Sequence, residues 1–172
     1  ALVHEKYGHH GNVITVQGDI TSEATARVLQ SYAFDTVICL NVLEHIRDDA
    51  RALRHMHQVL QPGGRLLLVV PAGTYLYGTL DLGLGHHRRY ERKPLSELVT
   101  AAGFTIERLH YMNLAGIPGW FVSSRVLRHK ILPRAGLKGF NLFTPLFIAL
   151  EKAVRTVADV PWGQSLVCVA RY

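Results

Sequence analysis

A chain of 172 residues is long enough for one domain with a buried core, and its length does not favour two. Hydrophobic residues make up 48% and charged residues 19%, a balance that excludes a mainly disordered protein. The 19 Lys and Arg residues exceed the 13 Asp and Glu residues and give a net charge of +6. This charge suits an acidic substrate, a nucleic acid, an anionic membrane surface or simply a solvated basic surface.

The first 31 residues predict a helix, a strand and a second helix. A weak apolar stripe marks residues 1–10 as the end of a helix, and the alternating apolar positions of residues 13–17 predict a strand. A helix is predicted over residues 22–31, and Asp19 and Thr21 can cap it.

The stretch F-D-T-V-I-C-L-N-V-L-E-H-I at residues 34–46 is the centre of the predicted fold. Its nearly continuous apolar run, residues 37–40, predicts a strand buried on both faces of a parallel sheet. Asp48 is the expected N-cap of the next helix, and P-G-G at residues 62–64 is expected to stop that helix before a strand at 66–70. Such a βαβ unit places residues 41–45 at the sheet edge where ligands bind.

Aromatic and charged residues are concentrated in the predicted loop after residue 70. Four glycines are expected to give it hinge-like freedom, and loops of this kind at a cofactor edge select substrates. We expect substrate binding from four side chains: Tyr75, Tyr77, His86 and Arg88. The alternative is that Arg88 and Arg89 form surface ion pairs, and Tyr90 is expected to pack against the protein.

The remaining chain predicts a helix over residues 94–102, a half-exposed edge strand over 104–109 and a final edge strand over 165–170. Between them, residues 114–160 carry apolar positions at helical spacing together with Arg and Lys. This pattern allows a helical lid, a dimer contact or peripheral contact with an anionic membrane.

The two cysteines, Cys39 and Cys168, both fall in predicted strands and are too few for a disulfide framework. We therefore expect structural thiols in a reducing compartment. No signal peptide opens the sequence, and no apolar run reaches the ~20 residues that span a bilayer. Together these features predict a cytoplasmic protein.

Four motifs in the same order resemble the class I S-adenosylmethionine (SAM)-dependent methyltransferases: F-D-x-V-x-x-x-N-V-L-E-H-I, L-x-P-G-G-R-L, R-R-Y and A-G-F-x-I-E. The similarity is greatest to their small-molecule branch, which includes ubiquinone-type methyltransferases, and it covers residues 13–113 and 165–172. It implies an α/β fold, a Rossmann-like sheet with helices on both faces, SAM as cofactor and a single domain over residues 1–172 with a helical insertion before the last strand.

The resemblance also assigns roles to individual residues. It implies that Asp19 accepts a hydrogen bond from the adenine amine, that Ile20 lies against the adenine ring, and that Asn41 and Val42 contact the methionine end. His45 is then placed to act as general base towards a phenol or alcohol, with capping or packing as the alternative. The ten histidines are scattered and no predicted helix face carries three ligands, so no metal site is expected.

The Gly-rich turn and the acidic strand end that precede these motifs in the family have no counterpart before residue 13. We therefore expect the 172 residues to be part of a longer methyltransferase, without the first two strands of its sheet, and to bind SAM weakly or not at all alone. The expected acceptor is a small, anionic or lipid-linked molecule, with nucleic acid not expected. The rival interpretations are a nicotinamide-dependent enzyme on a similar sheet and a noncatalytic membrane- or partner-binding domain.

Overall fold

The computed structural model describes residues 2–7, 11–131 and 160–172, together with residues 147, 149, 151 and 153. The strands are β1 (Phe34–Leu40), β2 (Leu60–Pro71), β3 (Thr105–Met112) and β4 (Ser165–Arg171). The α-helices are α1 (Leu2–Tyr7), α2 (Glu23–Gln30), α3 (Asp49–Gln58), α4 (Thr79–Leu84), α5 (Arg92–Ala101) and α6 (Gly116–Phe121). Short 3₁₀ helices occupy Leu43–His45 and Thr74–Leu76, and a π-helix occupies Val122–Val126.

The predicted βαβ unit is present. β1 and β2 pair in parallel, with Cys39 opposite Leu68, and α3 connects them. Asp48 caps α3, because its Oδ1 accepts a hydrogen bond of 3.0 Å from the Arg51 backbone N–H. The helix buries Leu53 completely against the sheet. These observations confirm the central part of the predicted fold.

The P-G-G segment has a different position from the predicted one. α3 already ends at Gln58 and β2 begins at Leu60, so residues 62–64 lie within the strand. The β1–β2 register shifts between Phe34 and Thr36, which makes the segment a bulge in β2. Gly63 has a φ of +82°, a conformation that favours glycine. The segment therefore widens the start of a strand rather than ending the helix.

The expectation that β1 is buried on both faces is wrong. Cys39 is 5% exposed on one face, whereas Ile38 is 63% and Leu40 is 51% exposed on the other. β1 pairs with β2 along one edge, and no other described strand pairs with it. A run of apolar residues is the same whether one face of a strand is covered or both, so the open face of β1 could not be predicted from it.

Residues 13–17 do not form the predicted strand. They are irregular, and Ile14 is 70% exposed. Strand formation requires a neighbouring backbone to satisfy its N–H and C=O groups, and none of the described strands pairs with this segment. The helix that follows is confirmed, since α2 lies inside the predicted range 22–31.

β4 is central rather than at the edge, which corrects the prediction for the last strand. The sheet order is β1-β2-β4-β3, and β4 is antiparallel to both neighbours. Cys168 lies between Leu68 of β2 and Leu109 of β3 and is fully buried. β3 is the edge strand, as expected. α5 begins two residues before the predicted start at Pro94, which falls in its first turn.

Both cysteines are free and buried, and burial raises the pKa of each thiol to about 11. This confirms that they are structural thiols. α6 and the π-helix confirm helical structure at the start of the 114–160 segment, whereas residues 140–146 of its second predicted helix lie outside the described residues. Among the residues described, no helix combines the length and apolar character needed to cross a membrane.

Candidate active site

The chain turns sharply where β1 ends. Asn41 has a φ of +51°, in the left-handed region that Asn tolerates better than most residues, and its N–H donates to the Val69 carbonyl at 2.9 Å. The 3₁₀ helix Leu43–His45 follows immediately. Leu43 and Glu44 are fully buried in it, whereas His45 is exposed. The carboxyl end of β1 therefore presents one exposed imidazole beside a buried carboxylate.

The predicted loop after β2 is more ordered than the sequence suggested. It contains α4, and the Tyr90 N–H donates to the Pro71 carbonyl at 2.9 Å while the Gly73 N–H donates to the Tyr90 carbonyl at 3.1 Å. The expected hinge-like freedom is not the role of Gly78 and Gly83. A Cβ at Gly78 would collide with Ser124, and a Cβ at Gly83 would collide with Lys130. These glycines allow the segment to pack closely against residues 122–130.

Asp81 is the centre of a buried polar network that the sequence analysis did not identify. Its Oδ1 accepts a hydrogen bond from Arg89 Nε at 2.7 Å and lies 3.0 Å from His86 Nδ1. Its Oδ2 accepts from the Gly78 N–H at 3.0 Å and from Trp120 Nε1 at 3.3 Å. Burial alone raises the pKa of Asp81, but the hydrogen bonds and the charge of Arg89 hold it below its ordinary value.

Arg89 connects this network to the sheet. Its Nη1 donates to the Ala72 carbonyl at 2.9 Å, and its guanidinium carbon lies 4.6 Å from the centre of the Trp120 ring. Its side chain is 1% exposed, so its pair with Asp81 is buried rather than the surface pair considered from the sequence. Arg89 therefore fixes the end of β2 against α4 and α6.

Arg88 and Tyr90 meet at Asp49, the first residue of α3. Arg88 Nη1 donates to Asp49 Oδ2 at 2.7 Å, and its Nη2 donates to the Arg47 carbonyl at 2.7 Å. Tyr90 donates its hydroxyl proton to the same Asp49 oxygen at 2.9 Å, and Tyr90 is buried, which confirms the packing role expected for it. The Arg88 side chain is 36% exposed in this ion pair, and its role in substrate binding stays a prediction.

Glu44 and His45 lie close to His86, although His86 follows them about forty residues later in the sequence. His86 Nε2 lies 3.8 Å from Glu44 Oε1, and the two imidazole rings meet edge to face with centres 4.8 Å apart. The His87 N–H donates to the Glu44 carbonyl at 2.8 Å, which holds the two segments together. Burial raises the pKa of Glu44 above its ordinary value, although His86, His45 and Arg89 oppose this.

This cluster was not predicted, because its three residues do not lie on one helix face. The signal available was an acidic residue and histidines that follow the carboxyl ends of two adjacent strands.

The two predicted substrate tyrosines differ in position. Tyr77 donates its hydroxyl proton to the His86 carbonyl at 2.9 Å and so holds the histidine segment. Tyr75 is 47% exposed, and partial burial together with the charge of Glu91 raises its pKa. The Tyr77 hydroxyl is thus engaged by the protein, whereas Tyr75 is accessible, and substrate binding by either tyrosine stays a prediction.

The residues predicted to contact the cofactor lie on the opposite side of the β1 end. Ile20 and Val42 line the same cavity of about 320 Å³, together with apolar side chains of β1 and α3. His55 Nδ1 lies 2.7 Å from the Ile20 carbonyl and holds this segment against α3. Asn41 and Asp19 do not line the cavity.

Asp19 forms a local turn. Its Oδ1 accepts hydrogen bonds from the Thr21 N–H at 2.8 Å and the Thr21 hydroxyl at 2.9 Å, and these bonds lower its pKa. The Asp19 carboxylate is fully exposed to solvent, and the next residue, Ile20, lines the cavity. The N-cap of α2 is Ser22, without a side-chain cap hydrogen bond, so the Asp19 carboxylate does not cap that helix as the alternative expected. The adenine contact stays a prediction.

Comparison with known proteins places these observations in a family context. A family model described as a methyltransferase domain matches residues 3–109. A protein of Mycolicibacterium smegmatis named "Probable S-adenosylmethionine-dependent methyltransferase" is 27% identical over 141 residues, which are 81% of this chain and 48% of that protein. The ubiquinone biosynthesis O-methyltransferase of Pseudomonas aeruginosa is 41% identical over 49 residues, 28% of this chain and 21% of its own. The chain thus spans about half the length of the first relative.

Solved structures show the same fold. A SAM-dependent methyltransferase from Archaeoglobus fulgidus superposes with a TM-score of 0.55 and 11% identity, covering 95% of this chain and 70% of that one. The [4+2]-cyclase SpnF superposes with a TM-score of 0.53 and 20% identity, covering 98% of this chain and 58% of SpnF. These similarities confirm the predicted Rossmann-like α/β fold, while the presence of a cyclase shows that the fold alone does not fix the reaction.

Proposed function

Because this chain belongs to the methyltransferase domain family, we propose that the protein transfers the methyl group of SAM to a small, anionic acceptor. The observation that carries this proposal is the position of the turn at the end of β1. Val42 lines the apolar cavity with Ile20, and three residues later His45 lies against His86 in the polar cluster. This neighbourhood of an apolar cavity and an exposed imidazole supports the proposal, in which the cavity would take the adenosyl group and His45 would serve the acceptor.

The cavity has properties that suit adenosine. Its walls are mainly apolar side chains. Asp19 directly precedes Ile20 of the cavity wall, and its carboxylate accepts hydrogen bonds only when ionised. An adenine ring presents apolar faces and an exocyclic amine that donates. These groups complement Ile20 and Asp19, respectively, and Asn41 and Val42 would face the methionine end of the same molecule.

His45 has the tautomer that a general base requires. Its Nδ1 lies 3.2 Å from the Gly85 carbonyl, which accepts hydrogen bonds only, so Nδ1 carries the proton and Nε2 is the basic nitrogen of the neutral ring. SAM supplies an electrophilic methyl carbon on its sulfonium. With SAM and acceptor bound, the protein would have to hold the acceptor oxygen in line with that carbon, at about 3 Å, and His45 would take the proton that the acceptor loses on methylation.

A methyl-transfer assay tests the proposal. The protein purified from its source organism is incubated with methyl-labelled SAM and a panel of phenolic and carboxylated acceptors. Replacing Arg88 by Ala should raise the acceptor KM about tenfold, the effect of one charge-assisted hydrogen bond, with SAM affinity nearly unchanged. Arg65→Ala is the control, since Arg65 pairs with Glu107 on the surface. The proposal fails if no acceptor gains label, and the assignment of Arg88 fails if only SAM affinity changes.

Residues 125–131 favour a second role, contact with an anionic lipid surface. Val126, Leu127 and Ile131 are 62%, 56% and 83% exposed, and they alternate with basic residues at 125, 128 and 130. Exposed apolar side chains among positive charges are the pattern of a peripheral membrane segment. Sedimentation with phosphatidylserine vesicles should bring the protein down at low salt and less at high salt, because salt screens the charge contribution. Equal, weak sedimentation with neutral and anionic vesicles would contradict this role.

A further inference from the structure

We propose that Glu44, His45 and His86 bind a divalent first-row transition metal ion. One ligand atom of each residue lies within 4.8 Å of those of the other two, in the part of the chain that the structure describes. Glu44 and His45 lie in the 3₁₀ helix that follows the carboxyl end of β1, and His86 follows α4 in the segment after β2. Bound molecules lie at this edge of such sheets. The cluster therefore combines metal-binding groups with the position of the proposed reaction.

The carboxylate of Glu44 is the strongest observation. Glu44 is fully buried, and neither of its side-chain oxygens has a hydrogen-bond partner. Buried carboxylates are normally hydrogen-bonded, paired or coordinated to metal, because an isolated charge in the protein interior is very unfavourable. Two atoms bound to one ion at ~2.1 Å lie at most ~4.2 Å apart. The 3.8 Å between Glu44 Oε1 and His86 Nε2 satisfies this limit. The 4.8 Å that bounds the full set exceeds it, so the exposed His45 ring has to move closer for all three residues to bind one ion.

Surrounding groups hold His86 in the tautomer that a metal requires. His86 Nδ1 lies 3.0 Å from Oδ1 of Asp81, and Asp81 is itself fixed by Arg89 at 2.7 Å. Since an ionised carboxylate only accepts, Nδ1 donates to Asp81, and Nε2 is the nitrogen that faces Glu44. A carboxylate behind a ligating histidine is the usual arrangement in metal sites.

His45 is held in a corresponding way. Its Nδ1 contacts the Gly85 carbonyl at 3.2 Å, and Gly85 adopts the left-handed conformation, with a φ of +79°, directly before His86. The same turn thus orients one histidine through its carbonyl and carries the other. In both rings Nδ1 is held by these contacts, which leaves Nε2 as the nitrogen available to an ion.

The donor set indicates the class of metal. Two imidazoles and one carboxylate suit zinc, cobalt, nickel, manganese or iron, whereas magnesium and calcium prefer oxygen donors throughout. Three protein ligands leave at least one coordination position open, as in catalytic zinc sites. This further role rests on the proposed methyl transfer and would replace its base. With His45 Nε2 bound to the ion, the open position would hold the acceptor oxygen and favour its deprotonated form.

Calorimetric titration of the metal-free 172-residue chain with zinc tests the site, after removal of metal with EDTA. We expect one zinc per chain, and Glu44→Gln and His86→Ala should each weaken binding at least about tenfold. Glu44→Gln keeps the size of the side chain and removes only its charge. His87→Ala is the matched control, because His87 is the exposed neighbour of His86 and lies outside the cluster. A double change, His9→Ala with His10→Ala, removes a vicinal pair that can bind zinc elsewhere in the sequence.

The outcomes separate the metal site from the methyl transfer. Zinc binding that is lost in Glu44→Gln but kept in His87→Ala and in the double variant supports the site, whether or not methyl transfer is observed. Zinc binding that survives Glu44→Gln, or that disappears with the histidine pair at 9 and 10, overturns it. Methyl transfer by the source protein that persists unchanged after EDTA treatment overturns the catalytic role of the metal and leaves the proposed function intact. Circular dichroism of each variant confirms that it is folded.

Discussion

The two sides of the β1 carboxyl end have opposite character. On one side, Asp81, Arg89 and His86 form a buried network in which hydrogen bonds from four residues converge on one carboxylate. On the other, Ile38 and Leu40 expose apolar side chains beside an open cavity. The polar groups on the first side are therefore satisfied by the chain itself. The apolar side chains on the second side are exposed and can contact another molecule or segment.

The largest loss of stability is expected when the buried polar network around Asp81 is disrupted. Asp81→Asn should lower the free energy of unfolding by about 3–5 kcal/mol, because it leaves the buried Arg89 charge without its partner. Urea denaturation followed by circular dichroism measures this loss. The control is Glu107→Gln, which removes the exposed ion pair with Arg65 and should cost about 0–1 kcal/mol. A loss below about 1 kcal/mol for Asp81→Asn would mean that Arg89 finds solvent or another acceptor.

Two leucines in the paired strands β1 and β2 test whether the apolar face of the sheet is exposed in solution. Leu68→Ala should destabilise the protein by about 2–5 kcal/mol, since the side chain is fully buried and its removal leaves a cavity. Leu40→Ala changes a side chain that is 51% exposed and should cost less than about 1 kcal/mol. Both values come from urea denaturation. If the two costs were equal, the apolar face would be covered in solution.

Asp19 tests whether the apolar side binds SAM. Asp19→Ala should weaken SAM binding by about 1–3 kcal/mol, the effect of losing a hydrogen bond to a charged group, as measured by calorimetry on the source protein. Thr21→Val is the matched control. It removes the threonine hydroxyl that donates to Asp19 and keeps the carboxylate, so SAM binding should change little. Equal losses in both variants would show that the turn, and not the carboxylate contact, supports binding.

The smallest effect is expected from His57, which lies away from both sides. It stacks on Tyr172 with ring centres 4.2 Å apart, and partial burial lowers its pKa despite an opposing hydrogen bond with Gly103. The unfolded chain therefore binds a proton more readily, with a pKa near 6.5. The stability that His57 contributes is present above that pH and is lost as the pH falls below it.

Urea midpoints at pH 7.5 and pH 5.5 measure this loss. His57→Gln does not titrate and should show a smaller decrease between the two pH values than the natural chain. An identical decrease in both proteins would remove His57 as its cause.

Local patterns were sufficient for the parts of the fold that depend on neighbouring residues. The N-cap at Asp48, the strand that ends at Asn41 and helix α5 were all predicted, because capping, apolar periodicity and turn preferences act over a few residues. Part of the site followed from the same reasoning. Local patterns placed residues 41–45 at a strand end, whereas Ile20 and Val42, which line one cavity, were expected near the cofactor only from the family resemblance.

Burial and strand position required the tertiary structure. Residues 13–17 show strand-like alternation but have no described strand beside them, and β4 resembles an edge strand but lies between β2 and β3. Asp81 and Glu44 are charged residues of the kind usually found at the surface, and their burial is fixed by segments far away in the chain. An amino-acid pattern specifies which groups prefer to avoid water. Which distant groups surround them is decided only when the strands have been ordered in the sheet.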